Sequence, residues 1–572
     1  MRKEKLRKSL VEVGGLLVLA AILLVPRAKM LGQYTFIDEA YYLKHGARFY
    51  WAVANQEYEG TDLVVHPGVT TNWLGAAAFF KVYPEFAEEY GELEIPDLIL
   101  RRMLKGQDLS LNYVLIFARR NVVLFNAIFL LVAYLLARRL FPIWLALPGM
   151  ILAGFSPFYF EHSRFLFVDG ILSTLMLASL LAMLVYLKEN RIGWLLFSAV
   201  LGGLSVLTKV PGLMLVGFLG LFGLIEWLGS RSEIFWPPRS WGGMGKLVGA
   251  VLLWLLVALA VIALFWPAMW QAPWEKLGRI ASFVLDQGGA DLISPMFFNG
   301  EINPSGVFGW EYASYYLITY LWRGSPVTQA GLLLLIAAYV LRKRVQLPEI
   351  SWLVVGRLAV FGLGYILLMT LSVKKFDRYI LPSLLPLNLM AAAGYYLWVR
   401  RLVELVTKPW KRQNLQHGLI LLALLAIAGL QVLLVYRVFP YGLSYYNPFM
   451  GGTQSAVEVM MVGYGEGLDQ AAEYLMTKPG KVDLVIYSFY SNAFGFHFDW
   501  QINEMPWYEW EFTDEVFDAD YWVLYQSQKQ RGMSGPAFEY VEGYQPEHVV
   551  VINGLEYAWV YNLAEIRAKK GD

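Results

Sequence analysis

Residues 246–266 read KLVGAVLLWLLVALAVIALFW, and after Lys246 they carry no charge at all. Twenty apolar residues in a helix are about the thickness of a bilayer's hydrocarbon core. Segments of the same kind recur at about 10–26, 113–140, 143–160, 165–187, 192–208, 211–228, 328–341, 352–372, 378–399 and 416–436. The 572-residue chain is 57% hydrophobic and only 16% charged, whereas soluble domains are about a quarter charged. The expectation is an all-α polytopic membrane protein of about eleven spans. The net charge of +1 gives no argument for nucleic acid, and the absence of cysteine removes disulfides and thiolate chemistry.

Orientation follows from the basic residues between spans. They cluster at Arg2–Lys8, Arg138-Arg139, Lys188–Arg191, Arg231–Lys246, Arg342-Lys343-Arg344 and Arg400–Arg412. With eleven spans, every cluster falls on the side of the N-terminus, expected to be cytoplasmic. Loops 27–112 and 267–327 and the tail 437–572 are then extracytoplasmic. The chain divides into a transmembrane region, 1–436, and a tail, 437–572. Lys481–Ser488, Ala519–Tyr525, His548–Asn553 and Tyr557–Leu563 read as strands, with a helix over Glu466–Met476, so a small α/β domain is expected there. The first loop carries an amphipathic piece, Asp38–Trp51, and a helix opened by Pro67.

Candidate chemistry collects on the outer face. In a helix, Asp38, Tyr42 and His45 share one side, and a carboxylate there could take a proton from a hydroxyl. Alternatively, Asp38 and Glu39 only favour the helix dipole. Arg164 and Asp169 flank the start of the fourth span, either as a mutual salt bridge or as functional charges. Lys209 stands between two apolar stretches in Leu207-Thr-Lys-Val-Pro-Gly212. Lys374, Lys375 and Arg378 place three cations in five residues where the loop bias disfavours them, which suits an anion at the membrane surface. Bilayer headgroups are the plainer account. The tail aromatics Trp500, Trp507, Tyr508 and Trp510 read as a packed loop, and Asp518-Ala-Asp520 does not read as a metal site.

These elements have an order: Asp38-Glu39-Ala-Tyr41-Tyr42, His66-Pro67, Arg164 with Asp169, Lys209 before Pro-Gly, and Lys375-x-x-Arg378-Tyr379-x-Leu-Pro382. In this order they resemble the GT-C membrane glycosyltransferases, more narrowly the protein O-mannosyltransferase and lipid A aminoarabinose transferase family. The resemblance implies inverting transfer of a sugar from a polyprenyl- or dolichyl-phosphate donor to an acceptor hydroxyl. It assigns catalysis to Asp38, with Glu39 beside it, and to Asp169. The donor phosphate falls to Lys209, Lys375, Arg378 and Arg164, and substrate contacts to His66, Tyr42 and Tyr379. The chain departs from the family in reading His-Pro-Gly where a basic residue or histidine precedes two prolines, and its tail lacks lectin-like repeats. No cofactor is expected, although the sequence leaves a divalent metal open, and the acceptor is unspecified. A prokaryotic inner or plasma membrane is the expected location. The alternatives are a lipid-linked oligosaccharide transferase, disfavoured by the lack of a Trp-Trp-Asp signature, and a lipid or glycolipid transporter, disfavoured by the lack of an internal repeat.

Overall fold

Each of the apolar segments has a helical counterpart in the computed structural model, which describes residues 14–64, 67–91, 97–229, 241–285, 295–345, 347, 350–407, 413–480, 484–498, 514–533 and 535–571. Among them, seven helices are long and apolar enough to cross a membrane: Leu111–Leu140, Val168–Glu189, Val210–Leu228, Gly242–Phe265, Trp352–Thr370, Asp377–Thr407 and Leu415–Val438. A further pair, Tyr315–Arg323 and Pro326–Leu341, is bent by 112°. Gly14–Leu24, Ile143–Gly154 and Ile192–Thr208 are shorter apolar helices. The protein is an integral, multi-pass membrane protein.

Burial sorts these helices into an inner and an outer set. The apolar window of Val168–Glu189 is entirely buried, whereas that of Leu415–Val438 is only 28% buried. The outer helices turn Leu252, Leu256, Leu264, Leu422, Leu430 and Leu433 away from the protein. A face of exposed leucines is stable only against lipid. Polar side chains point inward and join helices across the interior: Thr328 and Gln431 both contact the Asn388 amide oxygen, at 2.6 and 3.1 Å.

Two boundaries differ from the sequence expectation for local reasons. The segment expected over 143–160 stops at Gly154, and a short helix, Pro157–His162, follows after Ser156. The residue before a proline is pushed out of helical backbone, which divides the segment there. The helix expected to open at Pro67 starts at Val69, because Gly68 intervenes with φ +64° as its N-cap. The run Tyr315–Arg323 forms one arm of the bent pair, and the second arm begins with Ser325 capping Thr328 N and with Pro326 in its first turn.

The expected strands are present near the C-terminus as a four-stranded sheet ordered Ile486–Ser488, Tyr521–Tyr525, Leu555–Asn562 and His548–Ile552. The first pair is parallel and the others antiparallel, in register Ile486 to Tyr521 and Val523 to Val560. Asn553-Gly554, both at positive φ, turns the hairpin. Helix Leu468–Met476 packs on this sheet. One buried cluster contains both Leu172 and Leu385 of the helical region and Tyr464, Tyr525 and Val560 of the tail. The helical region and the sheet share a core. Asp520 accepts a hydrogen bond from Val485 N at 2.8 Å, so it joins two strands.

Candidate active site

Four charged groups expected to converge do so, through a chain of contacts built on helix ends. Asp38 is the N-cap of helix Glu39–Ala54 but makes no capping hydrogen bond, so its carboxylate is not spent on the helix amides. It reaches the Arg378 guanidinium at 3.3 Å, with its side chain 37% exposed. Arg378 Nε lies 3.3 Å from Asp169 Oδ2, and Lys209 Nζ lies 2.7 Å from Asp169 Oδ1. The 3.3 Å contact is a charge contact rather than a formed hydrogen bond, and both atoms are buried without a hydrogen-bond partner among the described residues. A buried site with unfinished valences of this kind is suited to a polar ligand.

Local structure explains why these groups meet. Asp169 is in the first turn of Val168–Glu189, where a carboxylate is favoured by the helix dipole. Lys209 is the extended C-cap of Ile192–Thr208. The chain then folds back so tightly that a Cβ on Gly212 would lie 2.5 Å from Ser205 Oγ and 2.6 Å from Val206 N. Arg378 sits in the short 3₁₀ turn Asp377–Ile380 that leads into the helix beginning at Leu381. That turn is held by Asp377, which accepts Arg323 Nε at 2.8 Å and Arg378 N at 2.7 Å.

A cavity of about 380 Å³ adjoins the charges. Asp169, Lys209 and Tyr379 form its polar end, and Leu172, Leu213, Met214, Leu368, Met369 and Leu371 are among its apolar walls. The Lys209 ammonium lies 4.2 Å from the centroid of the Tyr379 ring, a cation–π contact that fixes both. Burial raises the Asp38 pKa above the usual aspartate range, against the opposing pull of Arg378, and nearby Asp169 raises it further. Tyr42 is buried edge-on against Phe167 at 5.2 Å, and burial together with Asp38 pushes its phenol up. His45 packs on Tyr41 at 3.9 Å, and burial lowers its pKa to about 3. His66 lies outside the described residues, as do Trp500, Trp507, Tyr508 and Trp510.

Three candidate residues make their contacts away from the Asp38–Lys209 series. Glu39 does not join Asp38. Its carboxylate is fully buried in a two-point pair with Arg119 and accepts Phe36 N at 2.9 Å and Leu166 N at 2.8 Å. It therefore ties the loop to Arg119 and to the Phe36 and Leu166 amides. Arg164 does not pair with Asp169 or face the cavity. It bonds Glu161 at 2.9 Å and donates to the carbonyls of Arg27 and Lys29. Lys375 turns inward, donating to Thr370 O at 2.6 Å and Ser372 O at 2.7 Å at the C-terminal end of helix Trp352–Thr370, and burial lowers its pKa to about 8.

Lys374, rather than Lys375, lies in the field of Asp38, Arg378 and Lys209. Burial lowers its pKa, and so does the field of Arg378 and Lys209, while Asp38 opposes them. Its Nζ is 5.8 Å from the centroid of the Phe376 ring, against which the Arg378 guanidinium also lies at 4.3 Å. Both lysines were visible in the sequence, but loop periodicity does not say which of two neighbours points outward. Among the described residues no group of three or more His, Asp or Glu gathers as a metal-binding set.

Residues 114–270, which include Asp169 and Lys209, match the model of the family described as dolichyl-phosphate-mannose-protein mannosyltransferase. Over that stretch the chain is similar to the family that its motifs resemble. It is also similar to the crystal structure of ArnT from Cupriavidus metallidurans bound to undecaprenyl phosphate, at 13% identity over 96% of this chain and 98% of that one, with a TM-score of 0.47. Another similar structure is the archaeal oligosaccharyltransferase AglB from Archaeoglobus fulgidus with an inhibitory peptide and a dolichol-phosphate (12% identity, 95% and 74% covered, TM-score 0.43). A third is the Saccharomyces cerevisiae protein O-mannosyltransferase Pmt1-Pmt2 complex bound to the sugar donor (18% identity, 50% and 38% covered, TM-score 0.34). A comparison with curated proteins gives no match.

Proposed function

We propose that this protein is an inverting glycosyltransferase that takes a sugar from a polyprenyl- or dolichyl-phosphate donor and delivers it to an acceptor hydroxyl. The observation that carries the proposal is the unbroken sequence of contacts Asp38–Arg378–Asp169–Lys209 beside an apolar-walled cavity. Two carboxylates among the three cations Lys209, Lys374 and Arg378 leave one net positive charge, the complement of a phosphodiester. The apolar walls suit a prenyl tail. As the bond from sugar to phosphate breaks, negative charge grows on the phosphate, and fixed cations stabilise that state more than the ground state. Asp38, at the exposed side of Arg378, is placed to take the acceptor proton from the face opposite the leaving group. One displacement without a covalent intermediate inverts the anomeric centre.

In this proposal the basic loops and the N-terminus are cytoplasmic, and the site with the C-terminal sheet is extracytoplasmic. The location is a prokaryotic inner or plasma membrane. The test is a transfer assay with purified protein and a panel of polyprenyl-phosphate sugars. Wild type should transfer from at least one donor, and Asp38→Asn should lose about 10²- to 10⁴-fold in kcat, the usual worth of general base catalysis. Turnover retained by Asp38→Asn would remove Asp38 from the mechanism.

A further inference from the structure

The segment Val462-Gly-Tyr-Gly-Glu-Gly467 comes from the tail yet lies between the two halves of the site. Tyr464 touches both. Its carbonyl accepts Ile37 N at 3.0 Å, one residue before Asp38. Its phenol donates to Asp377 Oδ1 at 2.7 Å, one residue before Arg378. Its ring stacks on Phe36 at 5.8 Å and lies 6.0 Å from the Arg378 guanidinium.

The sheet holds this segment from behind. Gly465 N donates to the Tyr525 hydroxyl at 3.0 Å, and that hydroxyl donates to Glu466 O at 2.9 Å. On the other side, a Cβ on Gly465 would come within 2.1 Å of Thr35 O, and the residue has φ +114°. Only glycine fits that close approach and that backbone conformation. The segment is thus pressed between the sheet and the residues that lead into Asp38.

We propose that Val462–Gly467 is a positioning strap through which the C-terminal sheet sets the spacing between Asp38 and Arg378, with Tyr464 as its positioning residue. The inference rests on the proposed transferase reading, since it assigns the strap to that site. One residue fixes the base through its backbone and the phosphate-binding turn through its side chain. The two effects are therefore separable.

The experiment uses the full chain, a polyprenyl-phosphate sugar that wild type accepts, and Asp38→Asn as control. Tyr464→Phe removes only the oxygen on Asp377. It should raise the donor KM roughly tenfold and leave kcat within about twofold, as expected for one lost hydrogen bond to a charged group. Gly465→Ala displaces Thr35 and should lower kcat by about tenfold or more with a nearly unchanged donor KM, because the base moves and the phosphate site does not. A general loss of folding would not raise KM alone in one variant and lower kcat alone in the other. Wild-type kinetics in both variants, or an equal loss of active fraction in both, would overturn the strap while an inactive Asp38→Asn left the transferase reading standing. Full turnover by Asp38→Asn would overturn the reading of the site and the strap with it.

Discussion

Asp38 and Glu39 are neighbours in the chain and opposites in environment. Glu39 is enclosed with Arg119 and two backbone amides, and Asp38 is left partly exposed, facing Arg378. Removing the Glu39 charge strands a buried guanidinium, which typically costs about 3–5 kcal/mol. Glu39→Gln should therefore lower the unfolding midpoint in detergent, with the surviving folded fraction keeping its donor KM. Asp38 differs, because the base role proposed for it depends on ionisation. Burial favours its neutral form, so acidification protonates it earlier than an ordinary aspartate. The acid limb of kcat/KM should have its midpoint above the usual aspartate value and should vanish from the residual activity of Asp38→Asn. The acidic pair was legible in the sequence as a candidate site. Which member was free was not, since that depends on Arg119, eighty residues away.

At the scale of elements, helix ends build this site. Asp169 opens one helix, Lys209 closes another, and Arg378 sits in the turn before a third. The turn at 371–377 divides its two lysines between tasks. Lys375 satisfies the last carbonyls of helix Trp352–Thr370, and Lys374 faces the field of the site. Lys374→Met should raise the donor KM several-fold with little change in stability. Lys375→Met should do the reverse, losing about 1 kcal/mol of stability, the usual worth of a cation at a helix C-terminus. Donor titrations and unfolding midpoints measured on both proteins test this exchange of roles. The helices themselves were readable, because about twenty uncharged residues have few other solutions. The break after Gly154 and the partner of Arg164 were harder to read. The first depends on Ser156-Pro157 and the second on Glu161, three residues back along a helix not expected to be separate.

Across the whole molecule, the tail is joined to the membrane helices by buried polar groups as well as by a common core. Glu466 is fully buried, and burial raises its pKa to about 7. The folded protein therefore holds this proton between about pH 4.5 and 7 while the unfolded chain has released it. Stability should fall as pH rises through that window and level off above it, by roughly 3 kcal/mol at most. Glu466→Gln should flatten this slope in unfolding midpoints measured against pH. The strands of the tail were visible as runs of Val, Ile and Tyr. The contact of Tyr464 with Ile37 and Asp377 was not, because nothing local records a pairing across more than four hundred residues. A different consequence attaches to the innermost helix, Val168–Glu189, whose apolar window has no exposed face. Its surroundings are protein, so it has no annulus of acyl chains to answer to. Stretching or thinning of the bilayer is taken up by the peripheral helices, through tilt and local lipid deformation. Asp169, at the start of that helix, is thereby kept out of direct contact with acyl chains.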